Sequence, residues 1–294
     1  MYILSSLNIF RQIWGFNALY SQELPAMKTI TSAQQKGGVG KTTTIVNLAY
    51  YLNELSTSSK RSKKTLLLDL DPQENLTDSV VNNKADSLVD ASLLFNEEFD
   101  ILKTPPLKTN LEGVDLIRAG DYLSDIESMD LSVILNPKKH LKKLDDIYDY
   151  ILIDTPPSLG RLSLSALCLA DFAYSPIKMD GYSLSGLEKF LNTVESIKAQ
   201  YNPELEFIGM VPNLIDLKDK FQVQTLKDAQ DAWGDVIFKN YIKHSSTVPT
   251  AIREQRAIWD KPKNGNAAKM ARQVKDVAKE IVSRCVLSEK AGVA

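Results

Sequence analysis

The chain has 294 residues, 44% hydrophobic and 24% charged, which is ordinary globular usage and excludes wholesale disorder, collagen and coiled coil. Thirty-five basic side chains against 37 acidic give a net charge of −2, so a uniformly basic nucleic-acid coat is excluded while a local basic patch is not. Cys168, Cys285, His140 and His244 are the only cysteines and histidines; their spacing excludes a zinc ribbon or disulfide scaffold and fits a reducing, cytoplasmic setting.

Residues 1–26 are apolar and aromatic, lack a basic lead-in and are interrupted by Asn8, Arg11 and Gln12. They make a poor signal peptide and too broken a stretch to span a membrane. Leu4, Leu7, Phe10 and Trp14 recur at helical spacing and fit a surface helix. The plainer alternative is an N-terminal extension, disordered or lying upstream of a start at Met27. Residues 27–285 read as one domain and 286–294 as a flexible tail.

Residues 28–33 predict a strand that runs into a glycine-rich turn. Ile45, Leu48, Ala49, Leu52 and Leu55 then predict a helix over 41–55 with one buried face. Thr65 to Leu68 is a continuous apolar run, as in a strand covered on both faces. Residues 72–112 are irregular and broken by Pro105-Pro106. Further strands are predicted at 114–118, 150–153, 172–177 and 207–211. Helices are predicted from Leu187 to Tyr201, from Asp219 to Trp233, and from Ala267 to Val282, the last with Met270, Ala271, Val274, Val277, Ala278 and Ile281 inward. Alternating strands and helices imply an α/β fold, a doubly wound, mostly parallel sheet with helices on both faces.

Gln35 to Thr43 reads QKGGVGKTT where a strand hands over to a helix. It fits G-x-x-x-x-G-K-[ST] except that Gln35 takes the first glycine position. Gly37, Gly38, Val39, Gly40 and Thr43 would turn backbone N–H groups toward phosphate at a helix N-terminus. Lys41 would neutralise the β- and γ-phosphates of ATP, and the Thr42 hydroxyl would ligate Mg²⁺. Lys36 is a second lysine in the same loop and needs an anion of its own. Asp69 and Asp71 end the strand Leu66-Leu67-Leu68 and share one side by the period of two. Asp154 ends the strand Tyr150 to Ile153 and is a Mg²⁺-holding candidate bonded to Thr42. Asn213 is a candidate for the adenine edge.

The loop Lys-Gly-Gly-x-Gly-Lys-Thr resembles that of the deviant Walker A P-loop ATPases. Together with DLDPQ (69–73) and DTPPSLG (154–160), it resembles the ParA/Soj partition ATPases over roughly residues 28–284. The resemblance implies that Lys36 crosses a nucleotide-sandwich dimer, that Asp71 positions the attacking water, and that Asp69 lies near the metal or loop. It also implies a weak Mg²⁺-ATPase that dimerises with ATP, binds double-stranded DNA non-specifically over the nucleoid, and is stimulated by a ParB-like centromere-binding partner, segregating a plasmid or chromosome. The rivals are a related ATPase that positions a protein cargo, a membrane-associated division regulator, and a metabolic P-loop ligase. Relatives that carry iron–sulfur clusters need cysteine clusters that are missing here. The tail after Val282 lacks bulky apolar residues, which argues against a membrane.

Between Lys239 and Lys275 stand nine basic residues against Glu254 and Asp260, a net +7 that leaves −9 for the remainder. Lys243, Arg253, Arg256, Lys269, Arg272 and Lys275 are the DNA-binding candidates. The family's arginine three residues before the position of Glu254 is Ala251 here. The run Lys138 to Lys143 reads as solvated surface, and Cys168 as a core cysteine.

Overall fold

The computed structural model describes residues 27–57, 64–82, 89–180 and 187–292, the side chains of 57, 187–188 and 287–292 excepted. The expectations for 1–26 and for most of the loop at 56–64 lie outside the described residues. Among the described residues seven strands form one sheet: β1 (Lys28–Ser32), β2 (Thr65–Asp69), β3 (Leu107–Lys108), β4 (Val114–Ile117), β5 (Tyr150–Asp154), β6 (Phe172–Ile177) and β7 (Glu206–Pro212). Their order is β3-β4-β2-β5-β1-β6-β7. Every neighbouring pair is parallel except β3 with β4.

Eight α-helices accompany them among the described residues: α1 (Lys41–Thr57), α2 (Asn75–Val80), α3 (Asn136–Leu141), α4 (Arg161–Leu169), α5 (Leu187–Gln200), α6 (Lys220–Trp233), α7 (Thr247–Arg253) and α8 (Gly265–Gly292). Strand residues alternate between the two faces of the sheet. Leu67 and Leu152 pack with Ile45, Leu48 and Leu52 of α1 and with Met270, Val274 and Ile281 of α8. Leu66, Leu68, Ile151 and Ile153 pack on the other face with Leu162 and Ala166 of α4. This is the doubly wound arrangement, in which central strands bury both faces and so read as unbroken apolar runs.

The sequence expectation differs at several points. Leu55 is 41% exposed, so the buried stripe of α1 ends at Leu52. Helix α8 continues past Val282 to Gly292, through most of the segment expected to be a flexible tail. The irregular stretch 72–112 holds α2, the two-residue β3 and short 3₁₀ turns. Asp90 and Asp100 start two of these turns by accepting the N–H of Ser92 and Leu102, local side-chain chemistry that leaves no periodicity. Lys138 is not simply solvated: its Nζ donates to Cys168 O at 3.1 Å and to Asn202 Oδ1 at 3.2 Å. Cys168 itself is core.

Register fixes the site. Ser32 of β1 is level with Asp154 of β5, and Asp154 is level with Asp69 of β2. The chain leaves β1 for β2 on one side and leaves β5 for β6 on the other. Ligands of open α/β sheets bind at such a reversal, beyond the carboxyl ends of the strands.

Candidate functional site

The glycine loop leaves β1 at this reversal and turns directly into α1. Gly38 and Gly40 have φ of +65° and +98°, where an L side chain is strained. At Gly40 the space is closed as well, because a Cβ there would lie 2.0 Å from Asn213 Nδ2. Val39 is buried, pinning the middle of the loop. Thr44 Oγ1 donates to Lys41 O at 2.8 Å and Asn47 Nδ2 to Thr43 O at 2.8 Å, which steadies the first turn of α1.

Lys41, Thr42, Asp71 and Asp154 come together as the sequence predicts. Thr42 Oγ1 donates to Asp154 Oδ2 at 2.5 Å. Asp154 Oδ1 is buried and has no hydrogen-bond partner among the described residues. Burial, and then the charge of Asp69, push the Asp154 carboxyl well above the usual carboxylate range, with the Thr42 hydroxyl opposing. Burial lowers the pKa of Lys41, while Asp154 and then Asp71 oppose that shift. A buried carboxylate oxygen left without a partner beside a threonine hydroxyl is a place that a hard cation would satisfy.

Asp69 is differently employed. It is fully buried, its Oδ2 accepts from Thr77 N at 2.9 Å and Thr77 Oγ1 at 2.7 Å, and its Oδ1 accepts from Asp71 N at 3.1 Å. Burial raises its pKa to about 6 against those hydrogen bonds. The expected metal contact gives way to an anchor that fastens the β2–α2 turn. Asp71 is 6% exposed and accepts the N–H of Gln73 at 3.0 Å. Burial raises its pKa, and the Gln73 N–H and Lys41 pull it back.

Asn213 is also corrected. It is 1% exposed, its Nδ2 donates to Val39 O at 2.7 Å, and its Oδ1 accepts from Leu214 N at 2.9 Å. The amide holds the phosphate loop onto the end of β7 rather than presenting an edge to adenine. Asn213→Ala should therefore weaken ATP and GTP binding by the same factor, about tenfold, the effect of losing the buried hydrogen bond to the loop at Val39 O. Titration calorimetry with both nucleotides checks this, and a loss confined to ATP would restore the adenine contact.

Lys36 finds its anion within the chain: its Nζ lies 2.6 Å from Asp180 Oδ2, each side chain 38% exposed. Sequence reading passed over Asp180 and its neighbour Lys178. The signal that could have found them is position, since both follow β6 at the same carboxyl edge as Asp69 and Asp154.

The six DNA candidates divide. Lys269 and Arg272 are exposed on α8 and Arg253 on α7. Lys243 is half-buried beside Ile215. Lys275 pairs with Glu54 at 2.6 Å and lies 5.4 Å from the Trp259 ring centroid. Arg256 pairs with Glu254 at 2.6 Å and donates to Ala257 O and Asp260 O. Lys275 is thereby tied to α1 and Arg256 to its own turn, so each of these two already has an intramolecular partner. Ala251 is buried in the core beneath α8. No helix among the described residues is long and apolar enough to cross a membrane.

A family model described as an AAA domain matches residues 27–207. Protein IncC of Escherichia coli is 31% identical over 96% of this chain and 76% of its own length. The chromosome-partitioning ATPase Soj of Treponema pallidum is 32% identical over 87% of this chain and 98% of its own. The crystal structure of cobyrinic acid a,c-diamide synthase from Mycobacterium smegmatis, with bound ADP and magnesium, superposes with a TM-score of 0.66 at 29% identity, covering 78% of this chain and 91% of that one.

Proposed function

Because the chain belongs to the ParA/Soj family of partition ATPases, we propose that it is an ATP-driven switch that dimerises around ATP, holds double-stranded DNA without sequence preference, and segregates a replicon with a ParB-like DNA-bound partner that stimulates hydrolysis. The observation that carries the nucleotide part is the pair formed by Thr42 and Asp154, with its unpartnered oxygen, at the mouth of the glycine loop.

Within this reading the loop N–H groups of 37–43 cradle the phosphates and Lys41 neutralises them. Thr42 and Asp154 would hold Mg²⁺, which spreads the negative charge of the phosphate oxygens. Asp71, close enough to Lys41 to sense its charge, orients the attacking water and accepts its proton. Lys36 must exchange Asp180 for a phosphate of the facing subunit if it is to cross a dimer.

The ligase likeness supports a second reading, in which ATP activates a carboxylate of a small molecule. It covers less of this chain than the partition relatives do, and a small-molecule ligase has no use for the exposed cations of α8. DNA binding separates the two. Fluorescence anisotropy on random-sequence duplex should show binding that needs ATP and weakens steeply from about 50 to 200 mM salt. Replacing Lys269 and Arg272 by Ala should flatten the slope of log K against log salt by about 1.8 for each protomer engaged, at about 0.9 per phosphate contact. Equal binding with ADP and ATP would remove the switch.

A further inference from the structure

Beyond β6 the chain runs Lys178-Met179-Asp180. Met179 is buried in the core, whereas its two neighbours are half-buried on another side. That side meets the glycine loop. Asp180 grips Lys36 at 2.6 Å, and the Lys178 ammonium stands 3.9 Å from where a Cβ on Gly38 would lie. Gly38 carries no side chain, so nothing of its own separates that ammonium from the loop backbone.

Three lysines thus border one phosphate-shaped loop. Lys36 has Asp180, and Lys41 has Asp154 and Asp71 close by. The half-buried Lys178 makes no ion pair or hydrogen bond among the described residues. An ammonium standing over a glycine loop without a counter-ion of its own gains one when an anion occupies that loop. The glycine loop, whose N–H groups and helix terminus attract the same anion, is where that anion arrives.

We infer that Lys178 is a further nucleotide-binding residue, its ammonium contacting the phosphate chain held by residues 37–43. The inference rests on the ATP-binding reading above. It enlarges the site from the loop and the two acidic strand ends to the carboxyl end of β6, and it gives the loop an outer cation facing the buried Lys41.

The test is calorimetric binding of Mg-AMPPNP to the full chain, with Lys178→Gln, Lys178→Arg and Lys41→Ala beside wild type, across a salt series. Lys178→Gln should weaken binding about tenfold or more, as expected for one charge-assisted contact. Its salt dependence should be shallower, its nucleotide-free Tm should be unchanged, and Lys178→Arg should bind within a few-fold of wild type. Wild-type affinity in Lys178→Gln, with Lys41→Ala inactive, would overturn the inference and leave the ATP reading standing. A loss repeated in Lys178→Arg and accompanied by a lower nucleotide-free Tm would make Lys178 a structural prop, which also overturns it. No binding by wild type would defeat the ATP reading, and this inference with it.

Discussion

Lys41→Ala should cost more than a hundredfold in ATP affinity. Lys41 is 6% exposed at the first residue of α1, and burial already disfavours its charge against the pull of Asp154 and Asp71. A triphosphate would bring more negative charge to that ammonium than the two carboxylates supply. Charge-assisted hydrogen bonds are worth about 1.5–3 kcal/mol each, so losing contacts to two phosphates removes roughly 3 kcal/mol or more, which is the hundredfold. The loop backbone is set by Gly38, Gly40 and Asn213 and stays in place, so circular dichroism should be unchanged. Titration with ATP and with ADP measures the loss. A variant that bound ATP within a few-fold of wild type would remove Lys41 from the site.

The parts of this site written contiguously in the sequence were legible there. QKGGVGKTT, the paired aspartates after Leu68, and Asp154 after an apolar run each pair a local signal with a strand end, and parallel register then brings them level. Contacts between segments distant in sequence were not legible. Whether Asn213 faces adenine or Val39 depends on how β7 lies beside β6 and the loop, which no local pattern encodes. Asp69 and Asp71 look alike in sequence, yet Thr77, one turn into α2, claims the first and leaves the second beside Lys41. The basic stripe on α8 was visible by its spacing, but Glu54 on α1 neutralises Lys275, and that pairing needs the packing of two helices more than 200 positions apart in sequence. The helix over 247–253 and the extension of α8 escaped for a related reason: short or polar helical turns carry little periodicity and are held by what they pack against.

Replacing Asp71 should separate binding from turnover. Asp71→Ala should bind ATP as tightly as wild type or tighter, since a buried carboxylate near the phosphates is removed, while hydrolysis falls by about 10²- to 10⁴-fold, the usual contribution of a positioned base. Asp71 also caps the turn through Gln73 N–H, so a loss in the alanine variant alone could reflect a loosened β2–α2 connection. Asp71→Asn keeps an oxygen for that N–H and deletes only the charge; it should lose hydrolysis to a similar degree and hold the ATP-bound form. The pH profile carries the same signature. Burial raises the Asp71 pKa above the ordinary carboxylate value, and the base must be ionised to work. Wild-type activity should therefore be full above that raised pKa and fall as pH drops through it, at a higher pH than an exposed aspartate would give. Single-turnover hydrolysis with protein in excess over ATP measures the step directly. Wild-type hydrolysis by Asp71→Asn would transfer the water-positioning role to another group at the carboxyl edge of the sheet.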